Sequence, residues 1–90
     1  MKIFGLVKLM EECAELIQVA AKMAAYPELA FSRKGLHPDG SSLRTRMIEE
    51  IGDVYAAIGF VVDKLELSTI DIHKRMKMKR ALFDQWDKEP

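Results

Sequence analysis

Residues 41–67, SSLRTRMIEEIGDVYAAIGFVVDKLEL, decide how this chain folds. Leu43, Met47, Ile48, Ile51, Val54, Tyr55, Ile58, Val61, Val62 and Leu65 recur at three- and four-residue steps, the period of an amphipathic helix. Ser41 or Ser42 stands where an N-cap is wanted. Gly59-Phe60-Val61-Val62 is a short apolar run, but it continues the helical period rather than starting a strand. On a wheel of about 100° per residue, Leu43, Ala57 and Val61 fall within about 20° of Glu50. Glu50 therefore sits inside the face this helix must bury, with Asp53 at its edge. An isolated ionised carboxylate in an interior is very costly, so Glu50 has to be paired, protonated or bound to a metal.

The same period appears upstream. Residues 2–25 hold no proline, and Ile3, Leu6, Val7, Met10, Cys13, Ala14, Ile17, Ala20, Ala21 and Ala24 mark the apolar side of a long helix. Pro27 ends it. Residues 26–40 carry two prolines, two glycines, Ser32 and Arg33-Lys34, which is loop composition. Downstream, Ser68 or Thr69 caps a third helix, with Asp71 in its first turn, running to about Trp86. That helix is basic, with Lys74, Arg75, Lys77, Lys79 and Arg80. The expected fold is all-α: two long antiparallel helices plus a third basic helix, in a single domain over residues 1–90. The apolar arc of the second helix, widened by Ala56 and Phe60, covers close to half its wheel. A three-helix monomer leaves part of it exposed, so the bundle is expected to be completed by oligomerisation, as a homodimer or homotetramer.

The acids converge in pattern. Glu12 and Glu15 share one face of the first helix, roughly 60° apart, with Leu9, Leu16 and Val19 flanking Glu12. Glu50 and Asp53 repeat the spacing on the second. Facing one another, these four repel unless a cation lies between them. Hard oxygen donors with no histidine or cysteine suit Mg²⁺, with Mn²⁺ as the alternative. A di-iron bundle expects Glu-x-x-His on its helices, and neither pair has it; His37 and His73 lie elsewhere.

Composition narrows the partners. Fourteen Lys and Arg balance fourteen Asp and Glu, which gives no general affinity for nucleic acid or a membrane surface. Cys13 is the only cysteine, so there is no disulfide framework, and a reducing, cytoplasmic setting is expected. No stretch of about 18 apolar residues suggests a membrane span. The start, Met1 to Gly5, soon meets Glu11 and Glu12 and does not read as a signal peptide.

The two acidic segments, Glu11-Glu12-Cys13-Ala14-Glu15 and Glu49-Glu50-Ile51-Gly52-Asp53-Val54, resemble the paired motif of the MazG-like all-α nucleoside triphosphate pyrophosphohydrolases over roughly residues 4–66. That resemblance implies Mg²⁺-dependent cleavage of a ribo- or deoxyribonucleoside triphosphate to the monophosphate and pyrophosphate, in nucleotide-pool control or house-cleaning. It implies Glu12, Glu15, Glu50 and Asp53 as metal ligands, and oligomers in which neighbouring chains help to build the base pocket. Among the acids, Glu12 is the candidate general base, with Glu11 and Glu49 as alternatives. Lys34, Arg33, Lys79 and Arg80 are candidates for the phosphates, Lys74 and Lys77 less so. Tyr55 and Phe31 are candidates to stack on the base, with Trp86 weaker. Two relatives in the same superfamily are rivals, a dimeric dUTPase-like enzyme and a phosphoribosyl-ATP pyrophosphohydrolase. The second usually has Ala-Asp-Leu where this chain has Gly52-Asp53-Val54. A rival from another class is a non-catalytic dimeric helical adaptor. The sequence reads as a single short unit, expected to lack the helix ahead of the first acidic pair that relatives often use to cover the base.

Overall fold

The computed structural model describes residues 4–30 and 42–88. They form three helices and a short 3₁₀ turn, with no strand among the described residues. Helix α1 spans Phe4–Ala25, α2 spans Leu43–Leu65 and α3 spans Thr69–Lys88. Pro27–Ala30, expected as plain loop, winds into the 3₁₀ turn. Proline supplies the φ that such a turn needs and lacks only an N–H that a first turn leaves unbonded.

Local chemistry sets the helix ends. Ser42 is extended (φ −82°, ψ 159°), and its hydroxyl accepts a 3.1 Å bond from the Thr45 N–H, which makes it the N-cap of α2. α2 stops at Leu65 because Glu66 turns into the left-handed region at φ 52°. The Leu67 N–H then closes on the Val62 carbonyl at 3.0 Å. Ser68 starts α3 at once, accepting from the Asp71 N–H at 3.2 Å.

Helices α1 and α2 pack antiparallel, and the 3₁₀ turn rests against both. Their seam holds Val19, Leu43, Val54, Ala57 and Val61, together with Ser42 and Glu50. Gly5 lets the helices close at one end: a Cβ there would lie 2.5 Å from Cδ1 of Phe60 and 3.2 Å from Cγ2 of Val61.

Many of the other large apolar residues lie outside this seam. On α2, Ile48, Ile51, Tyr55, Ile58 and Leu65 are exposed, and with half-buried Val62 they step along the helix by threes and fours. On α1, Leu6, Met10 and Ile17 are likewise exposed. Both stripes are displaced in the same rotational sense from the contact line, so in an antiparallel pair they emerge on the same side. The α1–α2 layer thus has one broad apolar face. Helix α3 buries none of its side chains; Ile70, Met76, Phe83 and Trp86 all lie open. The expected basic third helix is present but leaves the pair instead of packing on it. The molecule is correspondingly flat and spread, 41 × 36 × 16 Å, with a radius of gyration of 15.9 Å. A compact chain of this length has about 12 Å. No helix among the described residues is long and apolar enough to cross a membrane.

Candidate metal centre

Pairing Glu12 with Asp53 and Glu15 with Glu50 is what the antiparallel register of α1 and α2 produces. One carboxylate oxygen from each of these four residues lies within 4.8 Å of all the others. Glu50 is only 5% exposed, Glu12 is half-buried, and Glu15 and Asp53 reach the site from the rim. The wheel placement of Glu50 inside the apolar face is thus realised in the fold.

The electrostatics are those of crowded acids. Burial raises the Glu50 carboxyl above its ordinary value, and the charges of Glu15 and Asp53 raise it further; Arg46 works in the opposite direction. Burial also raises Glu12, followed by the charges of Glu15 and Asp53. Hydrogen bonding toward the Glu15 side chain raises both carboxyls as well. Oε2 of Glu12 and Oε2 of Glu50 are buried with no hydrogen-bond partner. A buried oxygen left in that condition is costly, so each is rare unless something occupies its lone pairs.

The donor set fits a small hard dication. All four ligands are carboxylate oxygens, two of them orphaned, and no histidine or cysteine intrudes. Opposed oxygens around an octahedral Mg²⁺ at 2.0–2.1 Å stand about 4.2 Å apart.

Other expected site residues fall elsewhere. Glu11 is exposed and accepts from Lys8 at 3.1 Å, and Glu49 is exposed at 3.6 Å from Arg46, so neither points into the cluster. Tyr55 is 70% exposed on the broad apolar face, away from the acids. Lys79 and Arg80 ride on α3, where Arg80 pairs with Asp84 at 3.0 Å. The chain does not bring them to the carboxylates. Lys74 and Lys77 line a shallow groove on α3 with His73, and the Trp86 ring leans on Phe83 at 5.6 Å. Phe31, Arg33, Lys34 and His37 lie outside the described residues.

The structure adds residues that sequence reasoning did not single out. Lys8 and Phe60 line a cleft with Glu12 and Asp53, while Lys22 and Arg46 line another with Glu15 and Glu50. The signal was present in the register. Once the acids are paired, stepping along the helices by whole turns places Gly5 opposite Phe60 and Val19 opposite Arg46.

Comparison of the chain with protein families, with characterised proteins and with solved structures finds no match.

Proposed function

We propose that the protein is a Mg²⁺-dependent nucleoside triphosphate pyrophosphohydrolase acting in nucleotide-pool control or house-cleaning in the cytoplasm. The observation that carries this reading is Glu50, a buried carboxylate with an unpartnered oxygen facing three further acids. The resemblance of both acidic segments to the MazG-like motif supports it and supplies the bond to be cleaved. Glu15, Glu50 and Asp53 hold the metal, and Mn²⁺ can replace Mg²⁺ there. When bound, Mg²⁺ would supply charge neutralisation at the phosphates and lower the pKa of a nearby water. Glu12, with its raised carboxyl, takes the proton of the attacking water. Water adds across the α–β anhydride, the bridging P–O bond breaks, and monophosphate and pyrophosphate leave.

The same reading includes a homo-oligomer. The broad apolar face of the α1–α2 layer lies opposite the acids, so a second copy can cover it without closing the site. Helix α3, which buries none of its side chains among the described residues, is free to lie against the partner and bring Lys79 and Arg80 toward its substrate. A non-catalytic helical adaptor is the second reading, favoured by the unburied apolar side of α3. The deciding experiment is a panel of ribo- and deoxyribonucleoside triphosphates with Mg²⁺, scored for monophosphate plus pyrophosphate. Diphosphate plus orthophosphate would overturn the bond position. No cleavage, with stability indifferent to Mg²⁺, would leave the adaptor.

A further inference from the structure

The four acids are divided between two clefts on one face of the α1–α2 layer. Glu12 and Asp53 border a cleft of about 330 Å³ that is also lined by Gly5, Lys8, Ala56, Ala57 and Phe60. Glu15 and Glu50 border one of about 280 Å³ that also holds Gln18, Lys22 and Arg46. Beyond its two acids and Lys8, the first is lined by small residues and one aromatic ring. The second is polar and contains two cations.

We propose that these clefts fix the direction of a bound nucleotide. The base lies in the first cleft against the Phe60 ring, and the phosphate chain runs past the carboxylates to Lys22 and Arg46 in the second. The inference rests on the four acids being a metal centre.

Each cleft suits its half of the ligand. A nucleobase gains from a flat aromatic partner and an apolar floor. Phe60 is 43% exposed, and Lys64 holds it from one side with Nζ 5.4 Å from the ring centroid. Gly5 leaves the space the ring occupies, since a Cβ there would meet Cδ1 at 2.5 Å. At the other end, Arg46 lies in the first turn of α2, where the helix dipole favours an anion. Its Nε is buried with no hydrogen-bond partner, a donor that a phosphate oxygen would satisfy. Along α2, Phe60 lies about 10 Å beyond Asp53, while Arg46 lies about 6 Å before Glu50. The longer interval leaves room for the sugar.

The first cleft also limits what can be read. Phe60 offers a ring face and Ala56 and Ala57 offer methyl groups, while Lys8, Glu12 and Asp53 are the polar groups that line the cleft. Stacking of this kind is tolerant of base identity.

The test is equilibrium binding with Mn²⁺ present. The probes are α,β-imido nucleoside triphosphates of the four bases, which cannot be cleaved at the α–β position, and inorganic tripolyphosphate. Phe60→Ala is expected to weaken all four analogues roughly tenfold and to leave tripolyphosphate unchanged. Phe60→Leu, which keeps apolar bulk, should show the same pattern, and circular dichroism checks that both variants fold. Lys22→Met is expected to weaken both kinds of probe by the same factor. The proposal is overturned if neither Phe60 variant alters analogue binding, if tripolyphosphate weakens equally, or if the wild type binds no analogue more tightly than tripolyphosphate. Pyrophosphate release is scored separately with cleavable triphosphates. Release with Phe60-independent binding overturns this inference alone. Phe60-dependent binding without release overturns the proposed hydrolysis and leaves the binding mode standing.

Discussion

Oε1 of Glu50 lies 3.7 Å from Nη2 of Arg46, one turn back on the same helix, while its Oε2 has no hydrogen-bond partner. Arg46 is thus an incomplete counter-ion. It is 38% exposed and shared with Glu49. Replacing Glu50 by Gln removes the buried charge and keeps the shape. Without metal, Glu50→Gln is expected to melt higher than the wild type at neutral pH, because crowding by Glu15 and Asp53 is relieved. Its Mn²⁺ affinity is expected to fall by more than about a hundredfold, beyond what losing an outer-shell partner costs. Arg46→Ala should do the reverse without metal, lowering stability by well under the roughly 3–5 kcal/mol of a fully buried pair, with recovery on adding Mn²⁺. Calorimetric melting with and without the ion checks all three. A Glu50→Gln variant that binds Mn²⁺ like the wild type sinks the metal centre.

The raised carboxyls of Glu12 and Glu50 give the metal-free protein a pH signature. Both stand above their ordinary value of 4.5, so between that value and the raised one the folded chain holds more protons than the unfolded chain. Stability contributed by these groups is then present at low pH and declines as pH rises through the window. Melting temperature without metal is expected to fall as pH climbs upward from 4.5, and Glu50→Gln should flatten the slope. Saturating Mn²⁺ should remove it, because the bound ion stabilises the ionised carboxylates. A wild-type slope of opposite sign, unchanged in Glu50→Gln, contradicts the crowding of these acids.

Much of this arrangement was legible in the sequence because it is periodic. The apolar steps of α1 and α2 fixed their type and extent, the hydroxyls of Ser42 and Ser68 marked two starts, and Glu50 stood out as an acid in an apolar arc. The interior of the pair was less legible. Ile48, Ile51 and Tyr55 share the helical period with Val54 and Val61, yet only the latter two reach the seam. A single helix with half its wheel apolar cannot say which part meets its neighbour. The lysines of α3 were read as phosphate contacts from charge alone, and charge carries no information about where a helix points. Arg46 and Phe60 were not read as site residues for a different reason: each looks ordinary until the register between two helices is known.

Ser42 is a cap with little slack. It is buried, its hydroxyl accepts from the Thr45 N–H at 3.1 Å, and it also bonds the Thr45 hydroxyl at 3.0 Å. Ser42→Ala is expected to cost about 1 kcal/mol, the usual loss for a missing N-cap acceptor. Ser42→Asp should cost less, because an anion suits the start of α2. Urea unfolding at fixed metal concentration measures both. Equal losses for the two variants would show that burial, not capping, sets the requirement.

Gly5 and Phe60 are expected to be coupled. A methyl at Gly5 collides with the ring at 2.5 Å, but the ring is a partly exposed side chain and can swing outward. Gly5→Ala should therefore cost about 1 kcal/mol, near the low end for overpacking. In Phe60→Ala the collision disappears, and the same glycine substitution should cost little or nothing apart from the contact with Val61. A double-mutant cycle reads the difference as coupling between the two sites. Additive effects would place the ring away from α1.

The broad apolar face leads to an association state. Ile48, Tyr55 and Ile58 on α2 and Met10 and Ile17 on α1 are exposed together on one side, more than a folded monomer of this size ordinarily leaves in water. With a second copy covering that side, stability becomes linked to protein concentration. Melting temperature is expected to rise with chain concentration, and sedimentation should give twice the 10.3 kDa chain mass or a multiple of that. Ile58→Glu and Tyr55→Glu each place a charge at the centre of the face and should drive the protein to monomers that melt lower. The acids lie on the opposite side, so the monomeric variants should still bind Mn²⁺ wherever they remain folded. A monomeric wild type whose melting is independent of concentration would place the apolar face against some other partner. Loss of Mn²⁺ binding in a folded monomer would instead show that the metal centre is completed across the interface.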